Sequence, residues 1–134
     1  MNTVELTLKT MRVFLVDSSH LLARGLKKNL AELPGVEIVG EADNLADAVR
    51  EIRLQTPDVV MLDVSLLGES GRGLVDAVSV SHEEDSPFVM VLGGDVAGFE
   101  AGPDILLYKT SSIKSAVAIL KSLLGYFQTT DALQ

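Results

Sequence analysis

With 134 residues, of which 47% are hydrophobic and 4% aromatic, the chain can form one domain that buries about two-thirds of its unfolded surface. The lack of cysteine excludes disulfides and thiolate metal sites and fits a reducing compartment, so we expect a cytoplasmic protein. The formal net charge of −8 argues against direct binding to nucleic acid or membranes, and no apolar run approaches the roughly 18 residues of a membrane span.

Short apolar runs alternate with amphipathic segments from residue 11 onward. Residues 11–16 predict a first strand, and Asp17-Ser18-Ser19 can cap the helix that follows it. Residues 36–39 predict a second strand, after which Asn44 is the expected cap of a second helix. Thr56-Pro57 ends that helix, because the residue before a proline disfavours helical geometry.

The third predicted strand, residues 58–63, is apolar inside and ends in Asp63. The remaining predicted elements are a helix around 74–78, a fourth strand over 88–92, a fifth strand over 105–108 and a last helix that begins near Thr110-Ser111-Ser112 and ends at Gly125. Between the fourth and fifth strands only residues 93–103 are available, and a parallel crossover usually needs a dozen or more. The helix between those strands is therefore expected to be short or missing.

Strands that alternate with helices predict a parallel sheet covered on both faces. We expect a flavodoxin-like three-layer α/β sandwich with five parallel strands in the order 2-1-3-4-5. In such sheets the chemistry lies beyond the carboxyl ends of the strands, at the switch point between strands one and three. That rule predicts that Asp17 and Asp63 lie together.

Four motifs occur in order along the chain: Val16-Asp17, the segment 57–63 that ends in Asp63, Gly68-Glu69-Ser70-Gly71, and Ala101-Gly102-Pro103-Asp104 leading to Lys109. Together they resemble the receiver domain of two-component response regulators, especially the LuxR/FixJ-associated type. The resemblance covers about residues 11–125, which leaves 1–10 as an amino-terminal extension and 126–134 as a carboxyl-terminal tail.

The resemblance implies a role for each matching residue. In this family the aspartate after strand three takes a phosphoryl group from the phosphohistidine of a histidine kinase, so Asp63 is the implied phosphoacceptor. Asp17, Asp63 and the backbone carbonyl of Ser65 are the implied ligands of Mg²⁺, and Lys109 is the implied contact to the phosphoryl oxygens. A hard dication and an ammonium group both offset the charge of the transferring group.

Four positions depart from the family pattern. Ser18 replaces a second acid that usually contacts the metal, so the resemblance implies weakened Mg²⁺ binding. Gly93 stands where a threonine or serine hydroxyl is usual, and Leu106 stands where an aromatic switch residue is usual. Leu67 replaces a proline that is common after the acceptor. These departures imply that the usual relay between hydroxyl and aromatic residue is absent.

Plainer interpretations exist for each of these residues. Asp63 also fits a turn residue, Asp17 fits a helix cap, and Lys109 fits a solvated lysine or an ion-pair partner of Asp63. His20 and His82 lack the spaced partners of a metal site and are expected at the surface.

The first hypothesis is a receiver-like module of a phosphorelay, phosphorylated at Asp63 by a sensor histidine kinase or phosphotransfer protein, with output through contact with a downstream protein. It implies no enzymatic activity beyond self-phosphorylation and dephosphorylation at Asp63. The second hypothesis is a phosphorylation-independent pseudo-receiver that serves interaction or homodimerisation. A flavin- or nucleotide-binding enzyme of the same fold is least favoured, because the sequence contains no phosphate-binding loop.

Overall fold

The computed structural model describes residues 9–17, 21–29, 33–63, 87–92, 107–110 and 112–132. The helices and strands of these residues are, in chain order, β1 Met11–Val16, α1 Leu21–Lys28, β2 Val36–Ala42, α2 Leu45–Gln55, β3 Val59–Asp63, β4 Phe88–Leu92, β5 Leu107–Thr110 and α3 Ile113–Ala132. The predicted helices around 74–78 and between the fourth and fifth strands lie outside the described residues.

The five strands form one sheet in the order β2-β1-β3-β4-β5, and each neighbouring pair is parallel. This confirms the predicted topology. Parallel neighbours require crossover connections, and right-handed crossovers on either side of β1 place helices on both faces of the sheet.

Each face of the sheet is buried by different helices. Alternate residues of β1, namely Met11, Val13 and Leu15, pack with α1 and α3 in one core cluster. The intervening Phe14 and Val16 are also buried, and they point to the opposite face because side chains alternate along a strand. The members of the cluster from the other elements are Ala23, Leu26, Leu33, Val59, Met61, Met90, Ala116, Val117, Leu120, Leu123 and Leu124.

A bulge in β2 fits one large side chain into the sheet. The register passes from Val13 opposite Ile38 to Phe14 opposite Gly40, so that Val39 has no partner in β1. A Cβ atom on Gly40 would lie 2.6 Å from Cε2 of Phe14. Glycine at position 40 therefore makes room for the Phe14 ring, which is fully buried.

Arg12 and Asp58 tie together three elements at the amino-terminal edge of the sheet. The Arg12 backbone N–H donates to Asp58 Oδ2 at 2.8 Å, and the Asp58 backbone N–H donates back to the Arg12 carbonyl at 2.8 Å. The Arg12 guanidinium donates to the carbonyls of Gln55 and Thr56 at the end of α2. A cation at this end of a helix is also favoured by the helix dipole.

Both ends of α2 agree with the prediction. Asn44 caps the amino end, because its Oδ1 accepts from the Asp47 backbone N–H at 2.9 Å. Thr56 ends the helix in the left-handed region with φ of 45°, and its N–H donates to the Ile52 carbonyl.

Three predicted boundaries were wrong. β2 continues past Val39 to Ala42, because Gly40 to Ala42 still pair with β1 after the bulge. β5 occupies Leu107–Thr110, because those residues, and not a strand ending at Tyr108, match the register of β4. The last helix does not end at Gly125 but continues to Ala132, through the predicted tail. Within the described residues, no helix is long and apolar enough to span a membrane.

Candidate functional site

Two carboxylates end neighbouring strands at the carboxyl-terminal edge of the sheet. β1 and β3 pair with Val16 opposite Leu62, and the next residue of each strand is an aspartate, Asp17 and Asp63. Adjacent strands lie about 4.8 Å apart. The structure therefore brings together the two acids that the switch-point rule predicts.

The two aspartates differ in exposure. Asp17 is 3% exposed and is the one buried charged residue of the described part of the chain. Its backbone N–H donates to the Ala42 carbonyl at 2.9 Å, which extends the pairing of β1 and β2 by one residue. No buried side-chain polar atom among the described residues lacks a hydrogen-bond partner. Asp63 is half-buried at the end of an otherwise buried strand. Asp17 is thus held in a fixed place, whereas Asp63 can be approached.

The other two strands at this edge contribute Leu92 and the last residues of β5. Asp63 pairs with Leu92, and Leu92 pairs with Thr110. Lys109 pairs with Val91, one residue short of the row that contains Asp63. Lys109 therefore lies inside β5 at the same edge of the sheet, two strands from Asp63.

The amino-acid sequence matches a known family along most of its length. The family model of the response regulator receiver domain covers residues 13–120. The chain belongs to this family. It is a receiver domain of the two-component type.

Individual relatives agree with this membership. The response regulator GacA of Pseudomonas viridiflava is 32% identical over 100 residues, which cover 66% of this chain and 47% of that protein. A protein-glutamate methylesterase/protein-glutamine glutaminase of Carboxydothermus hydrogenoformans is 46% identical over 55 residues, which are 41% of this chain and 16% of that protein. The receiver spans less than half of these curated relatives.

Solved structures share the fold. A LuxR-family two-component response regulator from Aurantimonas sp. SI85-9A1 aligns with a TM-score of 0.67 and 26% identity, over 90% of this chain and 89% of that one. The regulatory domain of mrkE from Klebsiella pneumoniae aligns with a TM-score of 0.71 and 20% identity, over 89% of this chain and 99% of that one. These structures support the flavodoxin-like arrangement of the receiver.

The donor set at the carboxyl-terminal edge fits Mg²⁺. This ion takes oxygen ligands and is often held by one or two carboxylates, with waters and phosphate oxygens in the remaining positions. Asp17 and Asp63 supply two carboxylates on adjacent strands. Within the described residues, no group of three or more acidic or histidine side chains could hold a metal. The fit therefore depends on ligands from the phosphoryl group and solvent as well as from the receiver.

Several residues named from the sequence lie outside the described part: Ser18, Ser65, Leu67, Gly93 and Leu106.

Sequence reasoning missed Leu92, which the register sets beside Asp63. Counting from Pro87 would have found it, since β3 and β4 both have five residues and pair from their first residue to their last. The family usually has a threonine or serine hydroxyl at this position. Neither Leu92 nor Gly93 carries a hydroxyl, so none is present whichever of the two residues occupies it.

Proposed function

We propose that Asp63 accepts a phosphoryl group from the phosphohistidine of a sensor histidine kinase or phosphotransfer protein. The receiver then signals through contact with a downstream protein. The observation that carries this proposal is the register of β1 and β3, which sets the approachable Asp63 beside the buried Asp17. The absence of cysteine fits action in the reducing cytoplasm.

The transfer is a substitution at phosphorus. A carboxylate oxygen of Asp63 attacks the phosphorus atom, an O–P bond forms, and the P–N bond to the imidazole breaks with its electron pair passing to nitrogen. Both the nucleophile and the phosphoryl group are anionic, so the site must offset their repulsion.

Asp17, Asp63 and the Ser65 carbonyl would hold Mg²⁺. When bound, the ion neutralises charge on the phosphoryl oxygens and fixes their orientation. The burial of Asp17 keeps its carboxylate in one direction, so little reorganisation is needed when the donor arrives. Lys109, on β5 at the same edge, would contact the phosphoryl oxygens from the other side.

Incubation with acetyl phosphate and Mg²⁺, followed by intact-protein mass spectrometry, tests the acceptor. We expect the wild type to gain one phosphoryl mass that hydroxylamine removes, as it does from acyl phosphates. Asp63→Asn should gain none. Asp58→Asn is a matched control, because Asp58 precedes the same strand at the opposite edge of the sheet. If Asp63→Asn is labelled as strongly as the wild type, another residue is the acceptor.

A second candidate function is a pseudo-receiver that binds partners or a second copy without phosphorylation. Leu92 favours it, because the residue in register with Asp63 offers no hydroxyl to a phosphoryl group. Ser18→Asp separates the two functions. Labelling of this variant but not of the wild type, or binding of BeF₃⁻ by the variant alone, would identify a weak metal site as the cause. No labelling and no BeF₃⁻ binding in either protein would favour the pseudo-receiver.

A further inference from the structure

Two helices on one face of the sheet carry charge of the opposite sign to the rest of the chain. α1 contains three basic residues and no acid, and α3 contains two basic residues and one acid near its end, Asp131. The two helices therefore have a net charge of +4, while the remainder of the chain, with a total of −8, has −12. Basic residues are thus concentrated on these two helices.

The basic side chains of the two helices form one surface. Arg24 and Lys28 are exposed one turn apart on α1, and Lys114 and Lys121 are exposed two turns apart on α3. We call these four residues the basic face. Lys27 is turned away to an ion pair with Glu41, at 2.6 Å.

A close contact between the helices holds the basic face together. A Cβ atom on Gly25 would lie 3.1 Å from Cγ1 of Ile113. Arg24 and Lys114 are the chain neighbours of these two contact residues. The two rows of cations therefore lie side by side on one surface.

We propose that the basic face docks an acidic surface of a partner protein. The occupant follows from charge complementarity. At physiological ionic strength charges are screened beyond about 8 Å, so a docking partner senses the cations that it contacts more than the net charge of the chain. Opposite charges at an interface steer encounter and select the partner. This docking goes beyond the proposed phosphorylation and does not depend on it.

Other anionic partners fit the basic face less well. A DNA-binding surface neutralises backbone phosphates with lysine and arginine, and four cations on a chain of net charge −8 can neutralise few of them. Membrane-surface helices flank their cations with large apolar residues. On α3 the exposed positions between Lys114 and Lys121 include only small side chains such as Ser115 and Ala118. A protein surface remains the best match.

Binding of a fluorescein-labelled oligoglutamate peptide, measured by fluorescence anisotropy, tests the docking. Two double variants with the same change of charge are compared: Arg24→Glu/Lys114→Glu on the basic face, and Arg50→Glu/Arg53→Glu on α2. We expect the basic-face variant to bind the peptide at least about fivefold more weakly than the wild type. Each exposed ion pair contributes little by itself, but the two substitutions turn attraction to the peptide into repulsion. The α2 variant should change affinity less than about twofold, and affinity should fall as salt is added.

Several results would overturn the docking. They are equal losses in both variants, no binding of the peptide by the wild type at low salt, or tighter binding of a DNA duplex than of the peptide. Sedimentation that shows a wild-type dimer lost only in the basic-face variant would make a second copy the occupant instead. Labelling by acetyl phosphate should be normal in both variants, because that donor needs no docking. Peptide binding therefore reports failure of the docking proposal, and labelling by acetyl phosphate reports failure of the proposed phosphoacceptor.

Discussion

The two edges of the sheet use charged residues in opposite ways. At the amino-terminal edge, Arg12 and Asp58 bond to each other's backbone or side chain and close the end of α2. At the carboxyl-terminal edge, Asp17 and Asp63 place two acids on adjacent strands. In the first arrangement each charged side chain is bonded to backbone groups of another element, and in the second two acids lie side by side. We infer that one edge stabilises the fold and the other is kept for chemistry.

This difference predicts that substitutions at the two edges separate stability from activity. Like charges held close disfavour the folded state unless a cation or proton compensates them. Functional sites commonly conflict with local stability in this way. Changes at the carboxyl-terminal edge should therefore alter phosphoryl transfer with little loss of stability, and changes at the amino-terminal edge should do the reverse.

The largest expected effect belongs to Asp17→Asn. The substitution removes a fixed carboxylate beside the acceptor, so the rate of labelling by acetyl phosphate should fall about 100-fold. The free energy of unfolding in urea should change far less than the labelling rate, because asparagine keeps the size of the side chain and one oxygen acceptor. Asp43→Asn, an exposed acid just after β2, is the control and should be labelled normally. A large loss of stability with normal labelling would reverse the roles of the edges.

Asp58→Ala tests the amino-terminal edge. It leaves the Arg12 N–H without its side-chain acceptor in a partly buried place, and we expect a loss of about 2 kcal/mol in the free energy of unfolding. Asp58→Asn keeps an oxygen acceptor and should lose less. Labelling at saturating acetyl phosphate should be unchanged in both variants at temperatures where they are folded. Urea denaturation followed by circular dichroism measures the loss in the free energy of unfolding. Slower labelling of the folded Asp58→Ala protein would show that the two edges are coupled.

The sequence predicts what local patterns encode. Apolar runs, the Asn44 cap and the Thr56-Pro57 stop all act within a few residues, and they were enough for the strand order and the proximity of Asp17 to Asp63. The hydrogen bond between Arg12 and Asp58 joins residues 46 positions apart, and no local sequence pattern predicts it. The position of Leu92 beside Asp63 likewise depends on register, which only the paired strands define.

The end of α3 shows how packing overrides propensity. Gly125 is a weak helix former, which made it the predicted end of the helix. Leu123 and Leu124 before it are buried, and Phe127 after it packs against the core cluster, with Lys9 Nζ 4.9 Å from its ring centre. The helix continues because these apolar residues stabilise it on both sides of the glycine.

Asn44→Ala tests the end of α2 that lies near the carboxyl-terminal edge. Removal of the cap leaves the Asp47 N–H without its side-chain acceptor, and we expect a loss of about 1 kcal/mol. Asn44→Ser keeps a capping oxygen and adds no third carboxylate beside Asp43 and Asp47, so it should be close to the wild type. The measurement is the urea midpoint. A loss from Asn44→Ala larger than that from Asp58→Ala would show that the amino-terminal edge is not the more stabilising one.

The smallest expected effect is a gain of stability from Gly125→Ala. A Cβ atom at this position would meet no other atom within 4 Å, so alanine adds no clash and reduces the entropy lost when the helix forms. We expect a gain of about 0.5 to 1 kcal/mol in the free energy of unfolding. Gly40→Ala is the matched control, because its Cβ would collide with Phe14 and should destabilise the domain instead. Labelling of Asp63 should be unchanged in Gly125→Ala, since a more stable α3 does not alter the charges at the carboxyl-terminal edge. A changed labelling rate would mean that the helix and the site are coupled.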